Sequence, residues 1–208
     1  MLGLLARKVG MTQIFDEGGN QVPVTIMRVD PNVVIAKKTK ETDGYAAVVV
    51  GLDDAKKNRV TKARAGQLPQ NIPPKRQIRE LRDFEKEVTV GDTLGVDILE
   101  GVRYVDVSGI SKGKGFQGVV KRFGHAGGPT THGSKFHREM GSTGQCGWPS
   151  KSFKNRKMPG RMGRENVTVL SLRVVKTDPE KQLIMVKGAV PGINKSLVLV
   201  RTAVKKGR

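Results

Sequence analysis

Residues 102–108, VRYVDVS, and residues 167–175, VTVLSLRVV, decide the fold class of this chain. Both stretches are rich in β-branched residues, and the first alternates apolar and polar side chains as a half-buried strand does. Five further stretches have strand character and are separated by turn sequences: Val22–Val29, Val33–Lys37, Tyr45–Leu52, Leu183–Val186 and Leu197–Val200. Many short strands joined by turns predict a mainly β protein.

We predict a β-barrel of six or so strands, closed or nearly closed, because closure removes the edges of a sheet rich in Val and Ile. One short helix is predicted over Lys75–Phe84, where KRQIRELRDF follows two prolines and places Ile78, Leu81 and Phe84 on one side. A single helical turn is predicted at Val119–Phe123, after a group of glycines.

A basic segment, Lys112–Arg164, lies between the two stretches quoted first. It contains twelve Lys/Arg, a single acid (Glu139), twelve of the 26 glycines, all three histidines, and the only Cys and Trp. No apolar period runs through its middle, so it does not predict a self-sufficient domain. We therefore predict a discontinuous β-barrel domain over residues 1–120 and 166–208, and a long, mostly irregular basic extension over residues 121–165. Such a long loop is reasonable if a partner orders it.

The charge balance predicts that the partner is a nucleic acid. A formal net charge of +19 and a pI of about 10.4 favour a polyanion, which would relieve the self-repulsion. A single Cys excludes an internal disulfide and fits a reducing compartment. The amino-terminal sequence lacks the order of a signal peptide, and no apolar run approaches the roughly 18 residues of a membrane helix. We expect a soluble, intracellular protein.

The cations and histidines of the segment are the candidate nucleic-acid contacts. Lys and Arg neutralise phosphates, Gly permits close approach of the backbone, and aromatic rings meet bases. The candidates are Lys112, Lys114, Lys121, Arg122, His125, His132, Lys135, His137, Arg138, Lys151, Lys154, Arg156, Lys157, Arg161 and Arg164. For Trp148, stacking on a base or filling an RNA crevice is preferred to packing in a small core.

Gly113–Gly118, GKGFQG, matches the glycine pattern of a dinucleotide site and follows a predicted strand. That site needs a βαβ unit and an acid at the end of its second strand, whereas Glu139 has no strand before it. A phosphate-binding loop fails as well, because Gly115 stands where Ser or Thr is required. A glycine and lysine turn that faces phosphate is the preferred interpretation, and no cofactor is expected.

Zinc and nucleophilic chemistry are also weak alternatives. His125, His132, His137 and Cys146 lack a Cys pair and a compact ligand knuckle, so no metal is expected. Cys146 would need a positioned base to act as a nucleophile, and nothing in the sequence specifies one.

Motifs along almost the whole chain share their order and spacing with one family. They are Gly3-Leu4 with Lys8–Thr12; Leu99, Asp106, Gly109, Ser111, Gly113–Gly115, Gly118 and Arg122; Thr131–Ser134; Pro159-Gly160 with Met162-Gly163; Val167–Val169; and Val186–Gly192. In these residues the chain resembles the bacterial form of large-subunit ribosomal protein L-three.

This resemblance implies a barrel near the surface of the large ribosomal subunit and an extension that runs through 23S-type rRNA. The tip, near Gln145, Gly147, Trp148 and Pro149, would approach the peptidyl-transferase centre. The family is an early rRNA binder in subunit assembly, and its expected neighbours are ribosomal proteins L-fourteen and L-nineteen. Some members carry a methylated Gln at the tip, but that position is Gly147 here, so the modification is not transferred.

Two other classes remain as alternatives. A free-standing nucleic-acid chaperone or DNA-compacting protein would have the same charge without an ordered extension. A nucleotide-dependent enzyme would rest on the glycine motif alone.

Overall fold

The computed structural model describes residues 1–69 and 71–206. The chain divides into two compact units: unit one contains Met1–Ile110 and the chain from Asn166 onward, and unit two is Ser111–Glu165. The strands in chain order are β1 (Gly3–Phe15), β2 (Gln21–Arg28), β3 (Asn32–Lys38), β4 (Ala47–Asp54), β5 (Lys75–Arg82), β6 (Thr93–Leu94), β7 (Tyr104–Ile110), β8 (Phe116–Gln117), β9 (Gly160–Arg161), β10 (Asn166–Asp178), β11 (Leu183–Lys187) and β12 (Leu197–Thr202).

Helices are short in the described part of the chain. They are α1 (Lys40–Asp43), α2 (Lys62–Gly66) and α3 (Val119–Phe123), with 3-10 turns at Lys57–Arg59 and Val96–Leu99. The mainly β class is confirmed, and so is the helical turn at Val119–Phe123. No helix within residues 1–69 and 71–206 is long and apolar enough to cross a membrane.

Six antiparallel strands of unit one close into a barrel in the order β1-β12-β7-β10-β11-β2. Its interior is packed with aliphatic side chains that are fully or almost fully buried, including Leu4, Met27, Val105, Ile184 and Val200. With so few aromatic residues in the chain, the barrel depends on Val, Leu and Ile to fill its interior.

The strand β1 was not recognised from the sequence. Leu4, Leu5 and Ala6 are consecutive and all buried, so the apolar–polar alternation of a half-buried strand is missing. Lys8 then reads as a surface residue, yet it is 6% exposed and its Nζ donates to the carbonyls of Val190 (2.8 Å) and Gly192 (3.3 Å). Because a lysine is normally exposed, the buried Lys8 makes this stretch look unlike a strand in its apolar–polar pattern.

A second sheet of unit one has the order β5-β4-β3-β6. The helix predicted over Lys75–Phe84 is wrong, because Lys75–Arg82 is the strand β5 and pairs with β4 from Ala47↔Arg82 to Asp54↔Lys75. A ten-residue helix is marginal without tertiary support. The apolar strand β4 offers an edge with seven paired positions, so non-local pairing overrides the local spacing of apolar residues.

A β-bulge bends β10 beside β7. Val169 pairs with Val107 and Leu172 pairs with Val105, so Leu170 and Ser171 together oppose Asp106. Ser171 has a φ of 54°, which costs energy for a residue with a side chain. Its N–H donates to Asp106 Oδ1 at 2.7 Å, and the N–H of Val204 donates to Oδ2 at 3.2 Å. The buried Asp106 carboxylate therefore stabilises both the bulge and the chain that follows β12.

Candidate nucleic-acid interface

Unit two has no hydrophobic core. In residues 111–165, all of which the structure describes, Val119 alone is buried. A domain of about 60 residues normally buries some 60% of the surface that its unfolded chain exposes. Hydrogen bonds in turns and between distant parts of the segment therefore shape this unit, and its side chains are left available to a partner.

The root of unit two is an antiparallel pair. The Ser111 N–H donates to the Glu165 carbonyl, the Lys114 N–H to that of Met162, and the Met162 N–H to that of Gly115, each at 2.9 Å. β8 and β9 extend this pairing. The GKGFQG glycines lie in this hairpin-like root and precede a helix of only five residues. This arrangement differs from the strand–helix–strand unit that a dinucleotide site requires.

Gly163 is required by the geometry of the root. Its φ is +76°, and a Cβ built on it would lie 2.1 Å from the carbonyl oxygen of Lys112. Both the left-handed backbone and the close approach of the two arms exclude other residues.

We expect Gly163→Ala to open the root while leaving the barrel intact. The melting temperature of unit one should be unchanged, whereas the Lys114 amide, which donates to Met162, should lose its protection from hydrogen exchange. Gly118→Ala is the matched control, because Gly118 has a φ of −70° and open space where its Cβ would lie. Equal behaviour of the two variants would show that the root tolerates a side chain at residue 163.

Arg122 joins α3 to the returning arm. Its Nη1 donates to the Met158 carbonyl at 2.7 Å, and its guanidinium lies 4.9 Å from the centroid of the Phe123 ring. A Cβ at Gly160 would approach Nη1 to 2.7 Å, so glycine makes room for this contact. The structure thus gives Arg122 a role within unit two, besides the RNA contact expected from its charge.

The middle of unit two contains a second close approach. The Gly128 N–H donates to the His137 carbonyl at 2.9 Å, and a Cβ at Gly128 would lie 2.1 Å from the carbonyl oxygen of Phe136. His137 Nδ1 lies 3.0 Å from the Pro129 carbonyl, which ties this ring into the turn. Within the described ranges, no three His, Cys, Asp or Glu side chains are grouped as a metal site would require.

The stretch Ser142–Arg156 of unit two is closed by hydrogen bonds. The Arg156 guanidinium donates to the Ser142 carbonyl, and the Ser142 hydroxyl donates to the Gly144 carbonyl at 2.7 Å. Trp148 is 89% exposed and precedes Pro149 through a cis peptide bond. The indole is therefore not part of a packed cluster. Gln145 and Gly147 are exposed, and Pro149 is half-buried.

The predicted contact residues are distributed along the whole unit. The outgoing arm contains Lys112, Lys114, Lys121, Arg122 and His125; the middle contains His132, Lys135, His137 and Arg138; the returning arm contains Lys151, Lys154, Arg156, Lys157, Arg161 and Arg164. All are exposed except the half-buried Arg122. They do not converge on one point, so they suit a long polyanion better than a small ligand.

These cations have no acidic partners within residues 1–69 and 71–206. Twelve Lys/Arg stand against Glu139 and Glu165, a net charge of +10 for residues 111–165. Among the described residues, no salt bridge includes any of the twelve. An external polyanion would neutralise them.

Unit one contains a basic cluster and an exposed phenylalanine that were not predicted from the sequence. Residues 56–64, KKNRVTKAR, contain five Lys/Arg and no acid, a signal that the charge pattern offers but that the larger segment overshadows. Lys56, Arg59 and Lys62 are exposed there, whereas Arg64 donates to the carbonyls of Lys75 (2.7 Å) and Arg76 (2.9 Å) at the edge of β5. The exposed Phe15 was also missed.

The fold and the site define a class: a basic β-barrel protein with a coreless inserted arm that suits a polyanionic partner. Residues 77–182 match the family described as Ribosomal protein L3. The chain is 54% identical over 208 residues to the large ribosomal subunit protein uL3 of Treponema denticola and 57% identical to that of Treponema pallidum, with both chains covered completely. It is 49% identical to that of Geobacillus kaustophilus, over 99% of this chain and 97% of the relative. The chain belongs to the ribosomal protein L3 family, which confirms the resemblance found in its motifs.

Proposed function

We propose that this protein is a structural constituent of the large ribosomal subunit and binds its rRNA chiefly through Ser111–Glu165. The observation that supports this most directly is that unit two has twelve cations and a single buried residue, and that no described residue forms a salt bridge with any of these cations. The relatives at 49–57% identity are named as proteins of that subunit, and none is named as an enzyme. We therefore propose a role without catalysis.

Binding would be driven by release of counterions from phosphates that folded rRNA brings close together. The glycines at positions 128, 160 and 163 already allow close approach within the unit, and the exposed glycines between them allow the same toward RNA. Contacts would fall mainly on the sugar–phosphate backbone and on RNA shape, with a few bases met by exposed rings. The RNA would then replace the core that unit two lacks.

We further propose that the barrel domain and the extension have different roles. Residues 1–120 and 166–208 would position the protein, and residues 121–165 would penetrate the rRNA with the tip at Gln145–Pro149 directed toward the peptidyl-transferase centre. This part follows from the family resemblance, as do early action in assembly, the neighbours L-fourteen and L-nineteen, and residence in cytoplasmic ribosomes. Co-sedimentation with large subunits through a high-salt wash tests it, since a free-standing nucleic-acid chaperone would be washed off.

We expect Trp148→Ala to affect ribosome function and not barrel stability. The side chain is 89% exposed, and surface substitutions usually change the free energy of unfolding by less than about 0.5 kcal/mol. Reconstituted ribosomes should form peptide bonds several-fold more slowly with this variant. Phe153→Ala is the matched control, since Phe153 is exposed in the same unit but outside the tip. A lower melting temperature with normal peptide-bond formation would contradict the proposed role.

We expect the middle of unit two to be ordered by RNA. In the free protein, amides of residues 124–157 should exchange close to the unfolded rate, because the unit has almost no buried surface to protect them. Amides of β1, β7 and β10 should be strongly protected. Addition of rRNA should raise protection across residues 124–157. Strong protection there in the free protein would show that the unit is ordered without a partner.

A further inference from the structure

Unit one has a groove whose lining combines apolar and charged side chains. It encloses about 500 Å³ and is lined by Ile14, Phe15, Val22 and Val175, with Arg173 and Lys187 beside them. Phe15 is 69% exposed and Val175 is 37% exposed. The Phe15 ring and the neighbouring aliphatic side chains form one patch rimmed by charged residues, an arrangement that is typical of a protein–protein contact.

The hairpin of β1 and β2 holds Phe15 in place. Ile14 pairs with Val22 and Phe15 pairs with Gln21, directly before the turn. In that turn the Gly18 N–H donates to Asp16 Oδ1 at 2.7 Å, and the Asp16 N–H donates to the Asn20 carbonyl at 3.1 Å. The exposed ring therefore belongs to a hydrogen-bonded hairpin, so little order would have to be gained when a partner binds.

The cations and the acids of the groove belong to different elements. Arg173 on β10 and Lys187 on β11 have no carboxylate within salt-bridge distance in the described part of the chain. In the turn after β1, Asp16 Oδ1 accepts the Gly18 N–H, and Glu17 is the second acid of the groove lining. A bound segment would thus meet cations on one side and an acid on the other.

We infer that this groove docks a segment of a neighbouring protein. The segment would insert one bulky apolar side chain against Phe15 and Val175, with an adjacent Asp or Glu facing Arg173 and Lys187. An apolar centre with a polar rim of both signs is typical of a protein interface. Ile14, Val22 and Val175 offer a phosphate group neither a charge nor a hydrogen bond. The lining also contains both acids and cations, whereas the charged residues of unit two are almost all cations. The inference goes beyond rRNA binding, and it rests on the proposed place in the large subunit.

A photo-crosslinking amino acid at position 15 tests the inference in assembled large subunits. p-Benzoylphenylalanine replaces Phe15 in the full chain, the subunits are purified and irradiated, and the adduct is sequenced. We expect an adduct to a protein segment with an apolar residue beside an acid. Arg173→Glu with Lys187→Glu should lower the adduct yield at least tenfold, and changing the partner's acid to Lys should restore it.

Lys176→Glu with Lys181→Glu is the matched control, because it makes the same change in net charge with exposed residues outside the groove. The adduct yield should not change in this variant. An adduct to rRNA, or subunits that contain the protein but give no adduct, would overturn the inference. Absence of the protein from purified subunits would instead contradict the proposed function. Melting of each free variant separates these outcomes from misfolding.

Discussion

Replacing four exposed cations of the returning arm by Gln is expected to weaken rRNA binding strongly. In the described part of the chain, no salt bridge includes Lys151, Lys154, Lys157 or Arg161. The Lys157 Nζ lies 5.8 Å from the centroid of the Phe123 ring. If each neutralises one phosphate, the slope of log affinity against log salt should become shallower by roughly 3. At 0.1 M salt the affinity should fall roughly 100- to 1,000-fold. Filter binding to large-subunit rRNA across a salt series measures both quantities.

The matched control replaces Lys40, Lys176, Lys181 and Lys195 by Gln. All four are exposed lysines of unit one, so the net charge changes equally. We expect a much smaller loss of affinity and a slope close to that of the unchanged protein. Equal slopes for both quadruple variants would place the main binding surface outside unit two.

Asp106→Ala is expected to cause the largest loss of stability among single substitutions at the bulge of β10. The carboxylate is 3% exposed and accepts the N–H groups of Ser171 and Val204. Truncation leaves both donors without their acceptor next to a residue with positive φ, which should lower the free energy of unfolding by roughly 2 to 5 kcal/mol. Urea unfolding followed by circular dichroism gives this value.

Asp106→Asn is the informative companion, because it keeps one acceptor oxygen and replaces the other by a donor. Its loss should be smaller than that of Asp106→Ala but still measurable. Glu180→Ala removes an exposed acid at the turn after β10 and should change the unfolding free energy by less than about 0.5 kcal/mol. If Asp106→Ala matches this control, the two hydrogen bonds do not stabilise the bulge.

The strands of the barrel and of the second sheet could mostly be predicted from β-branched composition and turn residues. β2, β7, β10, β11 and β12 all coincide with stretches predicted from the sequence. Strand β1 could not be predicted in this way, because Leu4, Leu5, Ala6 and Lys8 are buried by residues that are distant in the chain. Strand β5 was predicted as a helix because the spacing of its apolar residues fits a helix. That spacing does not reveal that the edge of β4 is available for pairing.

The candidate interface could be predicted in composition but not in arrangement. Charge imbalance and lack of periodicity marked out the basic segment. The structure adds that Arg122 contacts the Met158 carbonyl and that Gly163 lies against Lys112, which are contacts between distant parts of the segment. Nothing in the local sequence of either residue indicates its partner.

The sequence by itself determined the mainly β class, the basic inserted segment and the family, because composition, turn chemistry and motif order are local properties of the chain. The tertiary structure alone decided that β1 closes the barrel, that Asp106 stabilises the bulge, and that Phe15 and Val175 meet in one groove. Pairing register, burial of polar groups and the meeting of exposed side chains depend on which distant strands become neighbours. The packing of the whole unit determines which strands become neighbours, and a short window of the sequence does not reveal this packing.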